Sequence, residues 1–347
     1  MSIKRIAVDD NIFMKTKRAT AGSRMLYNFM PPVDSTVVER LKNAGFSDIT
    51  TTISNEFGIS LTGSFGCVDA VASGEADIGI GCDISGAIRK EASKKGVFFI
   101  KPTYGTVSRF GLVSTAPSME QIGVVFKDID DGFSVLSVIS GFDKRDGTLA
   151  ENEKYSFPAT DSDISGLKIA EPGEWEEQLS CFDFVPDVFY TIASAETSNS
   201  LARFDGVKFG YRTEKYRNLE DIYKKSRAEG FSFETKLMIL SGMRALTKEN
   251  YEAYNAALFK RGVIKFSTEE AFKCYDALKM PAERAKSEDP FLSFCESYKN
   301  LRYSALPNIT GCPALAMPGG VQFMAKAQGE NTLYKIGKSM QKKEAAR

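Results

Sequence analysis

The sequence predicts an α/β fold in which helices cover a central mixed sheet. Three patterns carry this prediction: an apolar run at 6–8 that ends in a turn, a helix pattern over 36–44, and a strand pattern over 46–52. Strand, helix and strand in this order are typical of strands joined within one sheet by a crossover helix. The 347 residues can bury a large core without disulfide or metal support, and we expect a single domain over 1–347.

Local signals place the first elements. The strand at 6–8 is followed at 9–11 by Asp-Asp-Asn, a composition typical of turns. Thr36 and Glu39 have the spacing of a capping box at the start of the helix, and Gly45 is placed to end it.

The later elements follow from similar patterns. Small residues and glycines over 61–83 indicate a glycine turn that leads into a closely packed helix. The apolar run 97–100 predicts a buried strand, 128–141 a helix with an acidic first turn, and 166–170 another strand. From 187 to about 279 the pattern is mostly helical.

Two segments lie outside the regular pattern. Residues 142–163 are polar and rich in turn formers, which predicts a flexible connection. Residues 335–347 form a basic C-terminal tail, which we expect to be a helical or frayed end with a solvated face. Within the helical region, Ser267 and Glu270 have the spacing of a second capping box.

Composition excludes several classes of function. The 45 basic and 45 acidic residues leave no net charge, which argues against a general nucleic-acid or membrane-surface binder. The chain has no histidine, so a Ser-His-Asp triad, a Cys-His pair and a histidine metal ligand are excluded. No apolar stretch approaches the ~20 residues that a membrane helix needs. We expect no metal and no cofactor.

The cysteines indicate a reducing environment. None of the six forms a C-x-x-C pair, and the start of the chain lacks the apolar run of a secretory signal. Scattered single cysteines in such a chain are typical of a cytoplasmic location. The six are Cys67, Cys82, Cys181, Cys274, Cys295 and Cys312.

Six stretches of the chain match one known family. They are I-A-V-D-D-N-I at 6–12, P-V-D-S-T-V-V-E-R-L at 32–41, the small-residue stretch 70–89, K-P-T-Y-G-T-V-S-R-F-G-L at 101–112, N-S-L-A-R-F-D-G-V-K-F-G-Y at 199–211, and S-R-A-E-G-F at 226–231. These stretches resemble the amidase signature family, and within it the A subunits of tRNA-dependent amidotransferases. The resemblance covers about residues 4 to 320 and implies an α/β/α sandwich around a central mixed sheet.

The resemblance also implies a chemistry and a set of partners. The family's A subunits hydrolyse glutamine and pass ammonia to a B subunit, while a small C subunit holds the two together. The reaction uses a nucleophilic serine, a bridging serine and a lysine, with backbone N–H groups that stabilise the oxyanion. B-like and C-like subunits, or an intact paralogue, are therefore the expected partners, and direct nucleic-acid binding is not expected.

All three catalytic positions depart from the family pattern. The lysine position falls on Asp9, the bridging serine on Gly63 and the nucleophile on Ala87. Ala87 has no nucleophilic atom and Gly63 has no hydroxyl. Asp9 is a carboxylate roughly six pKa units less basic than lysine. Losing one member of such a unit costs about as much as losing all of them.

The substrate side is altered as well. The family's carboxylate-binding arginine falls on Gly262, whereas Arg261 is one residue away and about 100° round a helix. An acidic residue of the family falls near Leu301. The resemblance therefore implies that a substrate in this protein would lack the charged side chains that bind it in the family.

Two hypotheses about function remain open. The chain is a catalytically inactive homologue that acts by binding a partner or a ligand, or it is an active amidase or glutaminase with a rebuilt site. Ser64 and Ser85 are the possible substitute hydroxyls, although Ser85 is also typical of a helix cap or turn. Cys67 and Cys82 are expected to be structural thiols because no base is located beside them. Three spare lysines have no match in the family pattern: Lys15, Lys17 and Lys101.

Overall fold

The computed structural model describes residues 5–61, 63–149, 157, 162–283 and 290–345. The strands in this part of the chain are β1 Ile6–Asp9, β2 Ile49–Thr52, β3 Ile78–Asp83, β4 Phe98–Lys101, β5 Gln121–Phe126, β6 Ile169–Ala170, β7 Ala277–Pro281, β8 Ala314–Met317 and β9 Val321–Ala325. The helices are α1 Thr36–Asn43, α2 Gly66–Ser73, α3 Ala87–Lys94, α4 Ile129–Ile139, α5 Val185–Ser200, α6 Leu219–Gly230, α7 Phe233–Ala245, α8 Tyr251–Ala271, α9 Pro290–Ser304, α10 Leu306–Thr310 and α11 Glu330–Ala345. None of these helices is both long and apolar enough to cross a membrane.

The nine described strands form one mixed sheet. Their order is β2-β1-β3-β5-β4-β8-β9-β7-β6. Strand β1 pairs in parallel with β2 and β3, and β6 pairs in parallel with β7. The remaining neighbours are antiparallel. The predicted α/β fold with a central mixed sheet is therefore confirmed.

Helices cover both faces of the sheet because its strands are apolar on both sides. On one face, Val71 of α2 and Ala92 of α3 belong to a buried cluster with Phe99 and Val125. The opposite face carries α1, α4 and α11, and contributes to a larger core. Helix α5 contacts α7, α8 and α9, so a helical layer adjoins the sheet.

One edge of the sheet collects the ends of three strands. Strands β1 and β3 run parallel, and β4 runs in the same direction because both β3 and β4 are antiparallel to β5. Asp9, Asp83 and Lys101 are the last residues of these three strands. Helix α3 begins four residues after Asp83, so its N-terminus lies at the same edge.

Both predicted capping boxes are wrong. The N-cap of α1 is Ser35, whose hydroxyl accepts from the N–H of Val38, while the Thr36 hydroxyl donates to Asp143. Ser267 lies inside α8, where it donates to the carbonyl of Ile264 at 3.2 Å. The helical pattern of α8 continues through the second box, so no helix starts there.

The other local expectations are partly met. The helical region ends earlier than about 279, because β7 starts at 277. The basic tail from 335 belongs to α11, whose Ile336 is buried against the sheet, and 346–347 lie outside the described residues. In the predicted flexible segment 142–163, residues 150–156 and 158–161 lie outside the described part. Its first residues are held in place, since Asp143 accepts from the Ser108 hydroxyl at 2.8 Å and Asp146 from the Arg109 N–H at 2.8 Å.

Candidate active site

The carboxylate of Asp9, which the resemblance predicts at the family's lysine position, is enclosed at the end of β1. Its Oδ1 accepts from the Thr52 hydroxyl at 3.0 Å and from the N–H of Cys67 at 2.9 Å. Its Oδ2 accepts from the Cys67 thiol at 3.3 Å. The side chain is fully buried, and this burial raises the pKa of Asp9 to about 7. Both oxygens therefore have partners in β2 and in the first turn of α2.

The same contact makes Cys67 a poor nucleophile. Burial, together with the neighbouring charge of Asp9, raises the pKa of the Cys67 thiol well above its usual value. Burial raises the pKa of Cys82 in the same way. Because the thiolate is the reactive form, both side chains behave as the structural thiols that the sequence predicts.

Gly81 marks the point where Asp9 approaches the start of α3. A Cβ built on Gly81 would lie 3.1 Å from Asp9 Oδ2, 2.9 Å from Cys67 Sγ and 2.6 Å from Ile88 Cδ1. Ala87, which the resemblance predicts at the family's nucleophile position, is the first residue of α3 and directly precedes Ile88. Its methyl group is buried in the cluster that also contains Cys67 and Ile88. The structure thus brings Asp9 close to the start of α3, in apolar surroundings.

Gly63, which the resemblance predicts at the family's bridging-serine position, lies in the segment that leads into α2. Its N–H donates to the Ser60 hydroxyl at 2.8 Å. A Cβ on Gly63 would lie 2.7 Å from the Cβ of Asn55, closer than real Cβ atoms approach one another. The segment is therefore packed for a residue without a side chain. The adjacent Ser64 is exposed to solvent.

Ser85, the other substitute hydroxyl, is buried without a partner. Its Oγ makes no hydrogen bond to any of the described residues. It does not cap α3, because the N-cap is Gly86, which has a φ of 81°. The N–H of Gly86 donates instead to Asp83 Oδ1 at 2.7 Å. Of the two roles expected for Ser85, the helix cap is wrong, and the residue lies in the bend between β3 and α3.

Arg89 ties this edge of the sheet to the C-terminal part of the chain. Its Nε donates to Asp83 Oδ2 at 2.7 Å, and the pair is almost completely buried. Its two terminal nitrogens donate to the Gln322 side chain, the Ser304 carbonyl, and Asn308 Oδ1. The guanidinium thus fixes α3 to β9 and to the α9–α10 corner.

A cavity of about 900 Å³ lies beside α8. Gly262 and Arg261 both line it, although the sequence predicts that these adjacent helical residues point apart. Arg261 donates to the Ser118 hydroxyl and carbonyl, each at 2.7 Å, and to the Ile309 carbonyl at 3.0 Å. Leu301, by contrast, is buried in the core. The structure therefore places Gly262 at a cavity of ligand size and Leu301 away from it.

The three predicted catalytic positions do not line this cavity. Asp9, Gly63 and Ala87 are absent from its lining, and also from that of a smaller cavity of about 20 Å³ beside Ile84. The smaller space has room for about one water molecule. Neither space brings a ligand against all three catalytic positions.

Lys101 is a buried cation whose position the sequence did not reveal. Its ammonium group donates to the carbonyl of Pro102 at 3.0 Å. Burial lowers the pKa of Lys101 to about 8, while the charge of Asp83 acts in the opposite direction. A lysine that directly follows the apolar run 98–100 is the only sequence signal for such a group.

Comparison with known proteins gives consistent matches over nearly the whole chain. A family model described as Amidase matches residues 5–69, 64–181 and 171–334. The A subunit of the glutamyl-tRNA(Gln) amidotransferase of Lachnoclostridium phytofermentans is 35% identical over 91% of this chain and 75% of its own length. The corresponding A subunit of Geobacillus thermodenitrificans is 36% identical over 95% of this chain and 81% of its own.

Solved structures agree with the fold. The A subunit of the glutamyl-tRNA(Gln) amidotransferase of Thermotoga maritima superposes with a TM-score of 0.74 at 26% identity, covering 97% of this chain and 82% of its own. The native peptide amidase of Stenotrophomonas maltophilia superposes with a TM-score of 0.76 at 20% identity, covering 99% of this chain and 83% of its own.

Proposed function

Because the chain belongs to the amidase family and is homologous to the A subunits of glutamyl-tRNA(Gln) amidotransferases, we propose that it has lost amide hydrolysis and acts by binding. The observation that carries the proposal is the chemistry at Asp9, Gly63 and Ala87. These positions supply no nucleophile, no relaying hydroxyl and no amine base.

The surroundings of the three positions support the loss. The methyl group of Ala87 is enclosed by apolar neighbours, and Gly63 is packed against Asn55. Asp9 engages both carboxylate oxygens with Thr52 and Cys67, so its side chain is held by neighbouring structural residues. The site is thus adapted to residues that do no chemistry.

A rebuilt active site has little support. A serine nucleophile needs a base within hydrogen-bond reach. The hydroxyl of Ser85 has no hydrogen-bond partner among the described residues, and Ser64 is exposed to solvent. The high pKa of Cys67 and Cys82 disfavours a thiolate.

Two features support a binding function: a cavity of ligand size and the homology to A subunits. The cavity of about 900 Å³ is within the usual size of a small-molecule site. The homology to A subunits makes B-like or C-like subunits, or an intact paralogue, the proposed partners. All six cysteines are free thiols, which supports a reducing, cytoplasmic environment.

Ammonia release tests the proposal directly. The purified chain is incubated with glutamine and with asparagine, a glutaminase serves as the positive control, and Ser85→Ala is measured in parallel. We expect no release above the buffer blank from either form. Release by the wild type that Ser85→Ala abolishes would favour the rebuilt site and overturn the proposal.

The partner is tested separately. The tagged chain is purified from its native host under mild conditions and the co-purified proteins are identified by mass spectrometry. We expect B-like or C-like subunits, or an A-type paralogue, at near-stoichiometric amounts. Their absence from a preparation of folded protein would contradict this part of the proposal.

A further inference from the structure

The cavity of about 900 Å³ beside α8 is lined by an excess of positive charge. Among the described residues, its lining contains four basic side chains and one carboxylate: Arg261, Lys265, Lys273, Lys326 and Glu269. The whole chain carries no net charge, so this local excess does not follow from composition. A cleft lined mainly by one sign of charge attracts ligands of the opposite sign.

Three of the four basic side chains have no carboxylate partner in the part of the chain that the structure describes. Lys273 is neutralised by Glu270 of the same helix, at 2.5 Å. No ion pair within 4 Å joins Arg261, Lys265 or Lys326 to a described carboxylate. These three side chains are therefore the cations that a ligand in the cavity would meet.

The guanidinium of Arg261 is fixed in the cavity wall by neutral acceptors. The hydroxyl and carbonyl of Ser118 and the carbonyl of Ile309 accept three of its five N–H groups, which leaves one N–H on each terminal nitrogen. Burial lowers the pKa of Arg261, and the charge of Glu196 acts in the opposite direction from beyond ion-pair distance. A half-buried cation without an adjacent carboxylate gains from a bound anion, which replaces the hydration that the cation has lost.

The rest of the wall has room for an organic molecule. Leu258, Phe272 and Ile309 give it apolar surface. Gly262 lies between Leu258 and Lys265 on the same face of α8, and a Cβ built on it would meet nothing within 4 Å. Sites for small organic ligands have this size and this mixture of apolar wall and a few charged groups. The concave shape favours such a ligand over a nucleic acid, which binds to extended basic surfaces.

We propose that the cavity beside α8 binds a small organic dianion, either a phosphate monoester or a dicarboxylate, with its charges against Arg261, Lys265 and Lys326. These three cations, opposed by the carboxylate of Glu269, leave two net positive charges for the ligand. Glutamine has one carboxylate and one ammonium group and is therefore a poor match. The inference rests on the proposed function, because it specifies the ligand of a cavity that we propose to act in binding.

Titration calorimetry tests the charge of the ligand. The wild type is titrated at low salt with glycerol 3-phosphate and separately with succinate, and with glutamine and acetate as controls. We expect a Kd below ~1 mM for at least one dianion and at least tenfold weaker binding of both controls. The two dianions distinguish a phosphate ligand from a dicarboxylate. The absence of binding by either dianion at ~10 mM would overturn the proposal.

Charge variants test the location of the site. Lys265→Glu and Lys326→Glu each replace an exposed cation of the lining by an anion, and each is expected to weaken dianion binding at least tenfold. Lys248→Glu is the matched control, because it makes the same charge change at an exposed lysine outside the cavity and should change the Kd less than twofold. Equal weakening by all three variants would overturn the assignment of binding to the cavity.

Glu269→Gln tests the arrangement in the opposite direction. The substitution removes the carboxylate that opposes the ligand, so dianion binding should tighten about threefold to tenfold. Unchanged or weaker binding would contradict the proposed position of the ligand. Arg261 is kept in every variant, because its replacement would also release Ser118 and Ile309. Circular dichroism of each variant confirms that the fold is retained.

The result is separable from the proposed loss of amide hydrolysis. Ammonia release from glutamine by the wild type would overturn the proposed function whatever the affinity for dianions. A chain that neither releases ammonia nor binds a dianion would overturn this inference alone.

Discussion

Asp9 is a single carboxylate whose burial couples the stability of the protein to pH. In the unfolded chain an aspartate has a pKa of about 3.9, whereas burial raises the pKa of Asp9 to about 7. Below about pH 4 both states hold the proton. As the pH rises towards 7, the unfolded state loses the proton first, so the free energy of unfolding falls. Above about pH 7 the folded state has also lost the proton, and the free energy of unfolding no longer falls because of Asp9.

Replacing Asp9 with asparagine should remove this dependence. Asparagine keeps an acceptor for Thr52 and Cys67 but does not titrate. Between pH 5 and pH 8 we expect the wild type to lose about 2–3 kcal/mol more unfolding free energy than Asp9→Asn, at ~1.4 kcal/mol per pKa unit. Urea unfolding of both proteins at the two pH values measures the difference. Parallel pH profiles would show that Asp9 ionises in the folded protein as it does in water.

Individual elements are held in place by a small number of buried contacts. Helix α3 is fixed to β9 and to the α9–α10 corner by one guanidinium, that of Arg89. Helix α7 approaches α5 so closely that Gly242 has no room for a side chain. Changes at these two positions should therefore act on whole elements.

Arg89→Met should be strongly destabilising. The substitution leaves the Asp83 carboxylate buried without its cation, and breaking a buried ion pair in this way costs about 3–5 kcal/mol. The matched control is Arg5→Met, whose ion pair with Asp77 is solvent-exposed and should contribute less than about 1 kcal/mol. Chemical denaturation of the two variants compares them. Equal losses would mean that the buried pair contributes no more than the surface pair.

Two helical glycines should respond in opposite directions to alanine. A Cβ on Gly242 would overlap the carbonyl oxygen of Ser194 in α5, so Gly242→Ala should cost about 1–3 kcal/mol. A Cβ on Gly262 meets open space, so Gly262→Ala should stabilise α8 by up to about 1 kcal/mol. Thermal and urea unfolding of each variant are compared with those of the wild type. A loss of stability at Gly262 would contradict the open surroundings.

At the scale of the whole molecule, the features that support the proposed loss of activity extend beyond three side chains. None of the three predicted catalytic positions lines the cavity of about 900 Å³. The arginine closest to the family's carboxylate-binding position, Arg261, already donates to Ser118 and Ile309. Restoring the catalytic residues alone should therefore not restore an enzyme.

The triple reversion Asp9→Lys, Gly63→Ser and Ala87→Ser should not hydrolyse glutamine. The new serine at 63 must displace Asn55, and the new lysine enters a site that excludes water. A substrate misplaced by ~1 Å can lose ~100-fold in rate. Steady-state ammonia release is measured with and without a further Gly262→Arg change, and circular dichroism checks the fold. Robust turnover by the triple variant alone would show that the pocket is intact.

The fold was predictable from the sequence to the extent that it rests on local patterns. The strand at 6–8, the helix from 36 and the α/β class all follow from periodicity and turn residues. The N-cap of α1 was not predictable, because the Thr36 hydroxyl donates a hydrogen bond to Asp143, which lies more than one hundred residues later in the chain. At 267–270 the local capping signal is overridden, because α8 continues through it to Ala271 and buries Ser267 and Thr268.

For the candidate site, the sequence supports predictions about single residues. Asp9 and Ala87 are flanked by matching residues, and their assignment to the family's catalytic positions stays a prediction. The surroundings were not predictable, because the cavity is assembled from segments far apart in the chain: 103–104, 258–273, 309–312 and 326–327. Side-chain length also matters. The position of Arg261 on the helix predicts that it points away from Gly262, but its long side chain still lines the same cavity.

The strand order has a consequence for synthesis of the chain. Strand β4 pairs on one side with β5, but its other side is completed only by β8, where Phe99 pairs with Ala316. At ~5–20 residues per second, a ribosome needs about 10–40 s to make the roughly two hundred residues between them. During that interval the nascent N-terminal half carries an open, apolar strand edge. This is the stage at which pairing with a neighbouring nascent chain on the same message competes with completion of the sheet.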